Sequence, residues 1–145
     1  MKRLVLIGGG HAHVEVLRRF GLRPPAQVEL VLVSPHPQTP YSGMLPGWIA
    51  GHYTRNDCHI DLVRLAAFAG CRWLQTSCNG INPDARLVFC EDGQTLAYDV
   101  VSVDIGSRSP ALDIPGAPEH ALAVRPIDRF IATWDEICRM AAAGQ

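Results

Sequence analysis

The sequence contains a single lysine, Lys2, and every other basic side chain is an arginine. Its 13 basic residues meet 14 acidic ones, leaving a formal charge of −1. With no basic surplus there is nothing to hold a polyphosphate backbone, so nucleic acid is not an expected partner. No apolar run approaches ~18 residues, so no segment reads as a transmembrane helix. Lys2-Arg3 before Leu4–Ile7 imitates a secretory leader, but the apolar run is too short and no small-residue cleavage site follows. The five cysteines, Cys58, Cys71, Cys78, Cys90 and Cys138, contain no C-x-x-C pair. Neither a zinc site nor a redox dithiol is spelled out, and an odd, scattered set suits a reducing cytoplasm. Cys58, in a polar loop between Asp57 and His59, is the candidate for a reactive thiol. No Ser-His-Asp set or carboxylate pair stands out, so the catalytic residues are unassigned. His11 and His13 are two apart and point to different faces of a helix, so no metal site is expected.

What the chain does have is a hydrophobic fraction of 48% against 19% charged residues over 145 positions. That suits one domain built on a buried parallel sheet. Leu4–Ile7 is a short apolar run. It leads into Gly8-Gly9-Gly10-His11-Ala12-His13 and then into Val14–Phe20, which reads as a helix. Strand, glycine turn and helix together make a dinucleotide-binding hypothesis. Gly8 would make the tight turn, and Gly10 would let a pyrophosphate approach the backbone and the helix N-terminus. The third glycine of the pattern falls on His13, which must lean aside or push the helix outward.

Val28–Val33 completes a βαβ unit. Ser34 stands where the second strand normally ends in a ribose-binding acid, and offers a neutral hydroxyl instead. Residues 34–48 hold four prolines and two glycines, with Tyr41, Met44, Leu45 and Trp48 among them. Such a loop reads as a cofactor- or substrate-facing wall. Asp61–Phe68 predicts a helix capped by Asp61 or Asp57, with Leu62, Leu65 and Phe68 on one face and Gly70 at its end. Arg72–Thr76 is a short strand. Arg86–Cys90 and Thr95–Tyr98 flank Asp92-Gly93 as a hairpin. Asp99–Ser107 reads as a core strand ending on a glycine, and Pro126–Met140 as an amphipathic helix. The fold class is α/β: a Rossmann-like parallel sheet with an inserted antiparallel β-meander.

In order, these segments resemble the FAD-binding half of the pyridine nucleotide-disulfide oxidoreductase superfamily. Tyr98-Asp99-Val100-Val101-Ser102-Val103-Asp104-Ile105-Gly106-Ser107 is similar to a segment that ends there in Ala-Thr-Gly-Ser, and Ile114-Pro115-Gly116-Ala117 matches the stretch after it. Gly8–Val14 and Thr39–Gly47 further resemble the flavoprotein oxidoreductases fused to, or encoded with, selenophosphate synthetase. Type II NADH dehydrogenases and sulfide:quinone oxidoreductases are more distant relatives.

The resemblance implies FAD on Gly8, Gly9, Gly10, His11, Ala12 and His13, with the ribose near Ser34 and Pro35. It places the adenine near Cys78 and Asn79, the flavin along Tyr41, Met44, Leu45 and Pro46, and the pyrophosphate near Ile105, Gly106 and Ser107. It implies electron transfer from NAD(P)H through FAD to an unidentified small-molecule acceptor. Ser34 and Ile105 depart from the pattern, and no second glycine turn follows. Residues 1–125 are therefore expected to be the first half of an FAD-binding domain. Residues 126–145 would be a helix leading toward an NAD(P)H-binding domain absent from this stretch. Either that missing half or a second copy of the chain, as a homodimer, is the expected partner. An NAD-binding dehydrogenase domain and a non-enzymatic nucleotide-binding module are the alternatives.

Overall fold

A computed structural model describes residues 1–107 and 110–144. The chain forms two compact units, Met1–Ile105 and Gly106–Gln145.

In the first unit the N-terminal apolar run is β1 (Lys2–Ile7), followed after the glycine turn by α1 (His11–Leu22) and β2 (Val28–Val33). The proline-rich stretch is more ordered than its composition predicts. It holds β3 (Gln38–Pro40), a 3-10 turn over Ser42–Met44 and α2 (Leu45–Ile49). β3 pairs antiparallel with β4 (His59–Asp61), a partner too distant in sequence for any local period to reveal. α3 (Leu62–Phe68) starts where Asp61 accepts the Arg64 amide at 2.9 Å, which settles the cap on Asp61. Asp57 instead binds the amide and hydroxyl of Thr54. One expectation for this helix fails. Phe68 is 53% exposed, and Ala66 joins Leu62 in the core. The Phe68 ring lies across Gly21 of α1, where an added Cβ would come within 2.2 Å of it.

β5 (Arg72–Leu74) leads to a meander of β6 (Cys78–Asn82), β7 (Leu87–Cys90) and β8 (Thr95–Ala97), and then to β9 (Val100–Val103). The main sheet has the order β5-β2-β1-β9, all pairs parallel. Successive side chains of a strand point to opposite faces, so a continuous apolar run fills two cores. On one face Val5, Ile7, Val31, Val33 and Leu74 pack with Val88, Cys90 and Leu96 of the meander. On the other, Leu6, Leu30 and Leu32 pack with Leu17 of α1 and with Leu62 and Ala66 of α3. Helices, sheet and meander thus form three layers. β9 is less buried than expected of a core strand. It pairs with β1 on one side only, and Val100 and Val103 are exposed.

The second unit contains a 3-10 turn over Pro110–Asp113, α4 (Ala117–His120) and α5 (Ile127–Ala142). On the apolar stripe of α5, Phe130 and Ile131 are buried and Ile137 is exposed. Among the described residues no helix is long and apolar enough to cross a membrane.

Candidate functional site

The connections from β1 to β2 and from β2 to β5 run through α1 and α3, which pack on one face of the sheet. The chain then passes through the meander and returns on the other side of β1 as β9. Strand order therefore reverses at β1. In open α/β sheets the crevice at the carboxyl ends of strands at such a switch point is where ligands bind. Here those ends carry the Gly8–His13 turn and the Asp104-Ile105 dipeptide.

Gly8 has φ +91°, and its amide donates to the Val33 carbonyl at 2.8 Å, tying the turn to β2. A Cβ at Gly8 would lie 2.2 Å from the Asp104 carbonyl oxygen. Both conformation and close approach therefore require glycine. The Gly10 amide donates to the same carbonyl at 3.1 Å. Where a Gly10 Cβ would be, the Asp104 carboxylate lies within 2.3 Å. That carboxylate accepts the Ala12 amide at 2.9 Å and the His13 amide at 3.4 Å. No described residue accepts from the amides of Gly9 and His11.

The arrangement fits an anion. The positive end of the α1 dipole and the Ala12 and His13 amides already hold one, the Asp104 carboxylate, while the Asp104 carbonyl and the Leu62 side chain fill the space beside Gly8 and Gly9. An internal carboxylate already stands where such an anion would. The residues are thus suited to a dinucleotide pyrophosphate, with Asp104 sharing the donors.

His13 neither leans aside nor turns to solvent. It is 1% exposed, with Nδ1 at 2.7 Å from the Gly8 carbonyl and Nε2 at 2.9 Å from Ser102 Oγ. A carbonyl only accepts, so Nδ1 carries the proton and Nε2 accepts from the serine hydroxyl. The imidazole fills the space a glycine would leave and braces the turn against β9. His11 is exposed. Its ring sits 4.9 Å from that of Tyr41, and its Nε2 lies 3.3 Å from the Pro40 carbonyl, which brings the 34–48 loop to the turn. Along that loop Tyr41 and Pro46 are exposed, Met44 is half-buried and Leu45 is buried as an anchor.

Ser34 sits at the end of β2, buried, with its hydroxyl donating to the His36 carbonyl at 3.2 Å; Pro35 beside it is exposed. Cys78 is half-buried against the cluster that contains Ile7 and Val33, and Asn79 is exposed. Ile105 is 72% exposed at the end of the first unit. Gly106, at φ +76°, and Ser107, whose hydroxyl accepts from the Arg125 guanidinium, belong to the second unit.

Cys58 is not the exposed thiol its polar neighbours suggest. It is buried beneath the loop, its Sγ directed at the Met44 carbonyl, and burial and then the charge of Asp57 push its thiol up. Burial likewise pushes Cys71 up to about 12 and raises Cys90, so neither supplies a thiolate. Cys78 and Cys90 face each other across β6 and β7, a proximity invisible in their spacing. Among the described residues no group of three His, Cys, Asp or Glu side chains could hold a metal. The residues that sequence reasoning overlooked are Asp104 and Ser102. The available signal was an acid standing where the similar segment carries alanine.

No protein-family profile matches the chain. It is 28% identical over 149 residues to the NADH dehydrogenase-like protein YutJ of Bacillus subtilis, covering 98% of this chain and 39% of that protein. Its structure superposes on the sulfide:quinone oxidoreductase of Aquifex aeolicus with a TM-score of 0.76 at 21% identity, over 98% of this chain and 33% of the other. On NDH2 of Plasmodium falciparum in complex with NADH the TM-score is 0.71 at 19% identity, over 90% and 27%. The chain spans about two fifths of the Bacillus relative's length. The described residues thus share with these two solved structures an α/β fold, a Rossmann-like parallel sheet joined to an antiparallel meander.

Proposed function

We propose that this chain is the FAD-binding part of an NAD(P)H-dependent flavoprotein oxidoreductase. One observation carries the reading: the glycine turn stands at the switch point between β1 and β9, where the first N–H groups of α1 already bind a carboxylate, that of Asp104. The Gly8–His13 turn holds the pyrophosphate, with the Gly9 and His11 amides as donors. The end of β2 at Ser34 and Pro35 faces the ribose, Cys78 and Asn79 the adenine, and the Tyr41–Pro46 loop the flavin. Ile105, at the end of the same unit, lies on the pyrophosphate side. A bound flavin supplies the hydride- and electron-transfer chemistry, and the protein's part is to bind and orient it. NAD(P)H is a cofactor of the longer protein in this reading, and the electron acceptor is a small molecule. The inserted meander favours this reading over an NAD-binding dehydrogenase domain.

The test is an FAD titration of the purified chain, followed by flavin absorbance, beside Gly10→Val. The valine side chain would take the space of the Asp104 carboxylate above Gly10 and itself block the backbone, so the fold of the variant is checked by circular dichroism before its affinity is read. The expected result is a yellow protein whose affinity falls at least tenfold in the variant, about 1.4 kcal/mol. Equal affinities would overturn the assignment, and a thermal shift with NAD alone would favour the dehydrogenase reading.

A further inference from the structure

We propose that Asp104 is a built-in competitor for the dinucleotide site, a carboxylate that occupies the phosphate-binding donors and sets how tightly the site takes its ligand. The inference rests on the nucleotide-site reading and goes beyond it.

The Asp104 carboxylate takes the Ala12 and His13 amides, two of the N–H groups at the start of α1. It also occupies the space above Gly10, the glycine whose missing side chain would otherwise leave the backbone open to a phosphate. Its position is fixed by its own backbone. The Asp104 carbonyl accepts the Gly10 amide at 3.1 Å, and its amide donates to Ile7 at 2.8 Å. The side chain is therefore held over the turn by the end of β9 rather than by a flexible loop. Among the described residues no lysine, arginine or histidine forms an ion pair with it. The helix N-terminus is thus its main electrostatic partner, as it would be for a phosphate.

Two anions cannot share these donors without repulsion. A diphosphate must therefore either displace the carboxylate or bind beside it on the Gly9 and His11 amides. In the first case the apparent affinity is reduced by the fraction of molecules in which the carboxylate has moved away. In the second it is reduced by like-charge repulsion at short range. Both make the negative charge, and not merely the bulk, of residue 104 the determinant. A purely structural clamp makes a different prediction, because removing it would loosen α1 and weaken the ligand site together.

The experiment measures ADP and FAD affinity by calorimetry for the unaltered chain, Asp104→Asn, Asp104→Ala and Asp104→Glu, with thermal melting of each in the absence of ligand. Asp104→Asn keeps an acceptor for the Ala12 amide while losing the charge. The expected result is at least tenfold tighter ADP and FAD binding in Asp104→Asn and Asp104→Ala. The same two variants should melt at lower temperature without ligand. Asp104→Glu, which keeps the charge, should bind as weakly as the unaltered chain. Stability and affinity thus move in opposite directions. Affinity that is unchanged or lower in both uncharged variants, with the unaltered chain binding FAD, would overturn the competitor role and leave the nucleotide site standing. Absence of ADP and FAD binding in every protein would overturn both.

Discussion

Gly8 and Gly93 share a left-handed backbone, with φ at +91° and +85°, and both lie in turns that leave a strand. Around Gly93 there is nothing within 4 Å of where a Cβ would stand. Around Gly8 the Asp104 carbonyl would be 2.2 Å from it and the Ile105 side chain 2.9 Å. The hairpin uses glycine only to turn a corner. The N-terminal turn uses it to bring the end of β9 against the backbone, which builds the crevice at the switch point. A positive φ marks a turn, whereas a positive φ with backbone pressed against it marks a place where something must come close.

The comparison breaks most readily at Gly8. Gly8→Ala combines left-handed strain with a backbone clash, and should lower unfolding free energy by on the order of 3 kcal/mol or more in chemical denaturation. Gly93→Ala meets only the strain and should cost about 1 kcal/mol in the same assay. Equal losses at the two sites would show that the crowding at Gly8 carries no energetic weight. Ser34→Ala tests the neighbouring strand end. Its hydroxyl is bound to the His36 carbonyl and stands at the proposed ribose position, so FAD affinity should fall about fivefold, on the order of 1 kcal/mol.

The smallest effect concerns the exposed flank of α1. Hydrogen bonds from Arg18 and then Arg19 hold the Glu15 carboxyl down at about 2, against an ordinary value of 4.5. The charged form is favoured in the folded state, so this contribution is complete above pH 4.5 and disappears as pH falls through about 2. Glu15→Gln should therefore lower the melting temperature slightly and evenly above pH 4.5, with the difference from the unaltered chain vanishing as pH falls through about 2; the effect is small because exposed pairs are strongly screened.

The elements with strong local signals were readable from the chain. β1, β2, α3, the Asp92-Gly93 hairpin and α5 follow from apolar period, caps and turn residues, and the glycine turn follows from its place between strand and helix. What was not legible depends on contacts distant in sequence. β3 exists because β4 pairs with it, and Phe68 is exposed because Gly21 lets its ring lie across α1. His13 stays inside because Ser102, on a strand far along the chain, donates its hydroxyl to the ring. Cys58 looked exposed from its polar neighbours and is buried by Met44 and the loop above it. Asp104 was visible as a departure from alanine. Its chemistry, a carboxylate over a helix N-terminus, needed the β1–β9 pairing to appear.

The proposed function requires the Gly8–His13 turn, and not another turn of the fold, to receive the dinucleotide. A two-dimensional amide NMR titration with FAD tests it directly. The largest shifts are expected at Gly9, Gly10, His11 and Ala12, with Asp104 moving alongside them and Asp92 and Gly93 unmoved. Silent amides across the Gly8–His13 turn under saturating FAD, or shifts concentrated in the hairpin, would contradict it.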